Sequence, residues 1–226
     1  MKRILLVSLL AISTISLAQE TKNKNLDPDV CFYYGVGINA NNAYKIDDKL
    51  VANNFPRTVK TMPELFFGIN YLGKDFSIDT ELATATFKKS NAKSRSSGTA
   101  IAFKLRGHYN IVNQSRFMFS GGLNLDYTMN DFSLSATDNQ VDLNNLGSST
   151  SSYIRLHNKM FYVGPSIAFS LKKKDRVAVR LNIGYEFALA SSKWRSEYAE
   201  VTNSFSENGH NKFMVGLVFY SNRHCK

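Results

Sequence analysis

Residues 177–189 alternate without a break. Val177, Val179, Leu181, Ile183, Tyr185, Phe187 and Leu189 take the odd positions; Ala178, Arg180, Asn182, Gly184, Glu186 and Ala188 take the even ones. Side chains of a strand point to opposite faces with period two, so one face here is apolar and the other small or polar. At about 3.3 Å per residue the stretch spans roughly 43 Å, and a tilted strand needs only about 9–11 residues to cross a bilayer. A segment this long and this regular restricts the chain to a large sheet, and the rest of the sequence repeats it with variations.

Seven further stretches alternate in the same way, near 32–40, 62–72, 76–87, 99–111, 117–129, 160–171 and 212–221. The expected connections run long, short, long, short, long, short, long. The short ones are turns such as Gly73-Lys74-Asp75, and the long ones cover 41–61, 88–98, 130–159 and 190–211. Short turns at one rim, longer loops at the other and an even strand number are the pattern of outer-membrane barrels. Pro165 lies inside the sixth stretch, where a missing ladder donor predicts a bulge.

Periodicity alone leaves open which way the apolar face looks, since a soluble ligand-carrying barrel turns it inward. Two features point outward. Phe32, Tyr34, Tyr71, Phe76, Tyr109, Phe117, Tyr127, Phe161, Phe169 and Phe219 crowd the ends of the apolar stretches, as in the aromatic girdles of membrane barrels. The opposite face mixes glycines with charges of both signs: Glu64, Asp79, Glu81, Lys104, Arg106, Asp126, Arg180 and Glu186. A narrow lumen needs small residues for room and paired charges for filling. The expected fold is all-β, a closed antiparallel up-and-down transmembrane β-barrel of eight strands, with those eight charges as structural lumen residues.

Residues 1–18 carry Lys2 and Arg3, the apolar run Ile4–Leu10 and Ser16-Leu17-Ala18 before Gln19, the layout of a cleaved secretory signal. The expected organisation is a signal peptide at 1–18, a periplasmic arm at 19–30, the barrel at 31–222 and a tail at 223–226. Mean hydropathy is −0.24, as expected of a chain that alternates rather than one with apolar helices. The net charge of +10 falls by two when Lys2 and Arg3 leave. In an exported chain that excess is placed against lipid phosphates and lipopolysaccharide rather than nucleic acid.

The eight stretches, with Val179–Phe187 and Lys212–Phe219 foremost, make the chain resemble the small outer-membrane β-barrels of the OmpA-transmembrane-domain, OmpX and PorT-like kind, over about residues 31–221. Barrels of that kind often end on an aromatic residue; here Phe219-Tyr220 is followed by Ser-Asn-Arg-His-Cys-Lys. The resemblance implies a bacterial outer-membrane location and is specific for fold rather than for activity.

No GxGxxG, Walker loop, HExxH or GxSxG occurs. The catalytic alternative is lipid A modification by His157 with Ser148, Ser149, Ser151 or Ser152 and Asp131 or Asp138. Without a nucleophile motif the expectation is no enzyme, no cofactor and no metal. His108 reads as a hydrogen-bonded lumen residue, while His210 and His224 stand apart from any ligand spacing. The lumen of eight strands is just wide enough to be filled by side chains. The leading function is therefore a structural anchor or interaction module acting through long outer loops, with an envelope protein as candidate partner; a narrow porin-like channel is the alternative beside the lipid A enzyme. Cys31 and Cys225 flank the first and last strands and form a candidate disulfide at the seam of the barrel, in an oxidising compartment.

Overall fold

The structure is a computed structural model describing residues 29–137, 153–173 and 176–221. It is a closed barrel in which every strand pairs with its sequence neighbours and β1 pairs with β8. The strands are β1 (Asp29–Asn41), β2 (Thr61–Leu72), β3 (Phe76–Ser90), β4 (Ser94–Asn113), β5 (Phe117–Ala136), β6 (Tyr153–Lys173), β7 (Arg176–Ser191) and β8 (Lys212–Tyr220). One short helix, α1 (Ile46–Ala52), lies between β1 and β2. All pairs are antiparallel, and Val36 stands opposite Leu65 on one side and Leu217 on the other. Closure leaves no sheet edge, so every strand can pair its backbone without water. Among the described residues no helix is long and apolar enough to cross a membrane.

The apolar face points out. Phe32, Tyr34, Leu65, Phe67, Phe103, Tyr109, Leu123 and Leu189 are each more than half exposed. The polar face of the strands is buried, down to complete burial for Asp79, Lys104, Arg106 and Glu186. A soluble barrel would reverse this arrangement; a barrel whose solvent is lipid requires it. Lumen glycines clear space for the few large inward rings. A Cβ on Gly35 would lie 2.2 Å from the Phe66 ring, and one on Gly37 would meet the same ring at 3.3 Å.

Four expectations need correction. The stretch 88–98 is not a long loop: β3 and β4 stay paired through Lys88 opposite Ser97 and Ser90 opposite Arg95, and only residues 91–93 turn. The Asn91 side chain accepts from the Lys93 and Ser94 amides at 2.9 and 2.7 Å, which closes that turn. The segment 41–61 is not wholly loop, because α1 forms within it. β1 begins at Asp29, within the stretch assigned to the periplasmic arm, and Asp29 already pairs with Leu72. Finally, Pro165 makes no bulge: the β6–β7 pairing skips residues 164 and 165, as a missing donor requires, but Val163 opposite Phe187 and Ser166 opposite Gly184 keep one register. Gly164 lies so close to β7 that an added Cβ would sit 1.8 Å from the Tyr185 carbonyl oxygen, and the irregularities of the β6–β7 ladder fall at Phe161/Tyr162 and Leu171/Lys172 instead. The signal peptide, the rest of the arm and the tail lie outside the described residues.

Candidate functional site

Period-two alternation on eight strands delivers the predicted charges to one interior, where they sort into two levels. Toward the end nearer the loops, Lys104 Nζ lies 2.6 Å from Glu64, which also accepts from Asn39 Nδ2 at 2.9 Å. In the same half Lys212 Nζ lies 2.5 Å from Asp126 and 3.2 Å from Glu186, over the Tyr162 ring. Toward the end with the short turns, Arg106 grips Glu81 through both terminal nitrogens at 2.8 and 2.7 Å. Arg180 lies 2.9 Å from Asp79 and within 5.6 Å of the ring centroids of both Tyr33 and Tyr220, which contact each other. Lys104 also reaches Glu81 at 3.6 Å and joins the two levels. Lys212 is the lumen cation that sequence reasoning missed: that reasoning places it only at the start of β8, although its even-numbered place in the strand's alternation marks it as inward.

These pairs fill the bore. Beside them, between Tyr44, Glu64, Tyr162 and Lys212, a cavity of about 20 Å³ remains, room for about one water molecule. Several buried polar atoms of the lower level, among them both side-chain atoms of Asn182, have no protein partner. Single bound waters are the ordinary way such atoms are satisfied.

The mouth at the loop end is closed by a second, mostly apolar layer. Tyr44, Ile46 and Leu50 from the first loop and Trp194 from the last pack on Phe132, Leu134, Met160 and Tyr162 of the barrel wall. Glu207 fastens the two loops together. Its carboxylate accepts the Lys45 and Ile46 amides at 2.6 and 3.0 Å and the Trp194 indole N–H at 2.8 Å, and it is fully buried. Asp47 accepts the Thr58 amide and hydroxyl at 2.7 and 3.0 Å, tying the far side of the loop back to α1. His210 stacks on Tyr44 at 3.7 Å and contacts the Tyr162 hydroxyl through Nδ1 at 3.0 Å. Burial, reinforced by the Lys212 ammonium, pulls the His210 pKa down to about 4, and burial pushes the Tyr44 phenol well up. Nothing in the local sequence announces this layer, because its key contacts join residues some 160 positions apart.

The residues considered for catalysis do not assemble. Asp131 and His157 face each other in the β5–β6 register, but both Asp131 oxygens are held by Arg155 at 2.5–2.9 Å. Ser148, Ser149, Ser151, Ser152, Asp138 and His224 lie outside the described residues. A separate chain runs from His108 Nε2 to Ser166 Oγ at 2.7 Å and on to Asn124 at 2.6 Å, but all three residues are buried in the packed lumen. Among the described residues no His, Cys, Asp and Glu cluster is arranged to hold a metal ion. Cys31 is buried and disulfide-bonded; Cys225 lies outside the described residues.

An apolar exterior, a polar, charge-paired interior and full closure define the class: an eight-stranded transmembrane β-barrel, all-β and up-and-down. No family model matches the chain, and neither does any curated protein. Among solved structures it is similar to a major outer membrane protein from Thermus thermophilus, with 10% identity, TM-score 0.48 and coverage of 85% of this chain and 99% of that one. OprG from Pseudomonas aeruginosa gives 12% identity, TM-score 0.47 and coverage of 87% and 97%. Ail, the attachment invasion locus protein of Yersinia pestis, gives 9% identity, TM-score 0.43 and coverage of 86% and 99%. At such identities and TM-scores no residue role is carried across.

Proposed function

We propose that the chain is a non-conducting barrel of the bacterial outer membrane, exported through a cleaved signal peptide, that anchors an outer-face platform for lipopolysaccharide and for a partner protein of the envelope. The observation that carries this reading is the double closure of the bore. Charge pairs fill its length, and the layer around Tyr44, Trp194 and Glu207 covers its mouth. A channel must offer ions a continuous wet path, and the lumen cavity between Tyr44, Glu64, Tyr162 and Lys212, about 20 Å³, has room for about one water. A lipid A-modifying role has less support, since Asp131 is committed to Arg155. The anchor reading also accounts for strand length. β4, β5 and β6 run to 20, 20 and 21 residues, about twice what crossing requires. The surplus stands above the bilayer as a rigid sheet.

Planar-bilayer recording on the refolded protein tests the first half; steady unitary conductance would refute it. Co-purification from native membranes in mild detergent tests the second. An envelope protein in fixed ratio to the barrel is the expected result, and a barrel recovered alone would refute the partner.

A further inference from the structure

The surplus sheet has an outer face as well as the inner one that packs on the mouth layer. Register lines up that outer face in rows. Leaving the lipid-facing row Leu82–Phe103–Tyr127–Phe161, the next row away from the turns is Thr84–Ile101–Met129–Lys159. Above it come Thr86–Thr99–Asp131–His157 and then Lys88–Ser97–Ser133–Arg155. Within three rows the surface passes from apolar to hydroxyl and cationic. In the outermost row the middle strands β4 and β5 carry the small Ser97 and Ser133, whereas the flanking strands β3 and β6 carry the long Lys88 and Arg155. Short residues between long ones make a groove, and here it encloses about 860 Å³.

The charges around this groove are not balanced pair by pair. Arg155 is matched with Asp131 at 2.5 Å. Glu197 is the other acid on the wall, which also carries Lys88 and Lys159. Arg195, whose backbone bridges to His157, adds an exposed cation at the same edge. The floor nearest the membrane is Ile101 and Met129, both exposed and continuous with the lipid belt. A ligand that fits must therefore bear anionic groups for the lysines, hydroxyls for the serines and threonines, and apolar chains that run down over Ile101 and Met129.

We propose that this groove seats the phosphorylated sugar headgroup of a glycolipid in the leaflet surrounding the barrel, with Lys88 and Lys159 as its phosphate contacts. A soluble polyanion would satisfy the lysines but leave the apolar floor uncovered. An ordinary zwitterionic phospholipid would cover the floor but offer no sugar hydroxyls to the Ser97, Thr99 and Ser133 row. This assignment rests on the outer-membrane placement and names the lipid contact within it.

The test uses the full chain refolded in phosphatidylcholine nanodiscs, with closure of the barrel verified by its heat-dependent gel mobility. Binding of bisphosphorylated lipid A is compared with its dephosphorylated form and with the water-soluble bisphosphorylated disaccharide lacking acyl chains. Near a membrane surface each lysine contributes enough that losing two weakens binding by an order of magnitude or more. The double variant Lys88→Ala/Lys159→Ala is expected to bind lipid A at least about tenfold more weakly. The double variant Arg57→Ala/Lys60→Ala, which removes two exposed cations of the first loop outside the groove, is expected to bind like the unmodified protein. The dephosphorylated lipid and the soluble disaccharide should each bind at least about tenfold less tightly. Equal losses in the two double variants, no loss in the first, or undiminished binding of either comparison ligand would overturn the proposal. A barrel that closes and does not conduct, yet shows any of these results, refutes the groove and leaves the anchor reading standing.

Discussion

Glu207→Ala is the sharpest probe of the closed mouth. The carboxylate accepts three N–H groups, two from the backbone at the start of α1 and one from the indole of Trp194. A hydrogen bond to a charged acceptor is worth about 1.5–3 kcal/mol net. Three of them set an upper bound near 4.5–9 kcal/mol for the fastening, since neighbours sharing one acceptor do not add fully. Alanine leaves space for water to satisfy part of the loss, so about half that bound, roughly 2–4 kcal/mol, is the expected cost of keeping the loops in place. Glu207→Gln should cost less. One carboxamide oxygen can still accept at the Ile46 and Trp194 side, while its NH2 group meets the Lys45 amide donor against donor, for a loss of about one bond. Trp194 is the only tryptophan in the chain and is 2% exposed, so its emission reports the mouth layer without labelling. Glu207→Ala should red-shift that emission and speed amide exchange across 42–60, with the Gln variant between it and the parent. The barrel strands should keep their protection. Parent-like emission and exchange in Glu207→Ala would show that Glu207 does not fasten the mouth and that the apolar packing alone closes it.

Four more outcomes follow from the same geometry. Acidification should loosen the mouth: the His210 pKa is depressed to about 4 in the closed state, so stability is full above its ordinary value near 6.5 and is lost as the pH falls toward 4, by up to about 3 kcal/mol. Trp194 emission across that window checks this, and His210→Phe should flatten the profile. Arg180→Ala leaves Asp79 buried without its cation and should lower the denaturant midpoint in detergent by the equivalent of about 3–5 kcal/mol, whereas Lys93→Ala in the exposed turn should not move it. Phe103→Arg places a charge on a lipid-facing side chain that is 54% exposed; it should cost about 2–4 kcal/mol and block folding into vesicles, read as loss of the heat-dependent gel shift. Intact mass after thiol alkylation without reductant should show no added groups, as a bridge from Cys31 to Cys225 across the seam requires, and two added groups on the folded protein would refute that bridge.

Strand number, pairing order and the direction of the apolar face were legible because a period of two fixes facing once a single face is assigned. Val179 and Arg180 cannot both look inward, and the mixture of glycines with charges told which one does. Strand ends were less legible. Above the bilayer both faces of a strand are in water or on protein, so Lys88, Lys89 and Ser90 show no apolar alternation although they are paired in the ladder. The mouth layer was illegible for a different reason. Tyr44, Ile46 and Leu50 belong to a loop whose helix has only seven residues, too short to be stable alone, and what holds it is a carboxylate from the last loop. At Pro165 the missing donor was legible, and it interrupts the β6–β7 pairing without shifting its register.

The same alternation that separates lipid from lumen also joins the mouth to the groove. On the extended parts of β3, β4, β5 and β6, Phe87, Phe132, Leu134 and Leu156 turn inward to the mouth layer, and Lys88, Ser97, Ser133 and Arg155 turn outward to the groove. Neither face can shift without the other, since each inward ring and its outward neighbour share one stretch of backbone. A sheet standing free above the membrane would have water on both faces and no packed layer to hold its curvature. Packed on Tyr44 and Trp194, it has a core of its own, with Phe132 in contact with both rings at centroid distances of 5.3 and 5.0 Å. The mouth layer thus backs the same stretch of wall that carries the outer groove.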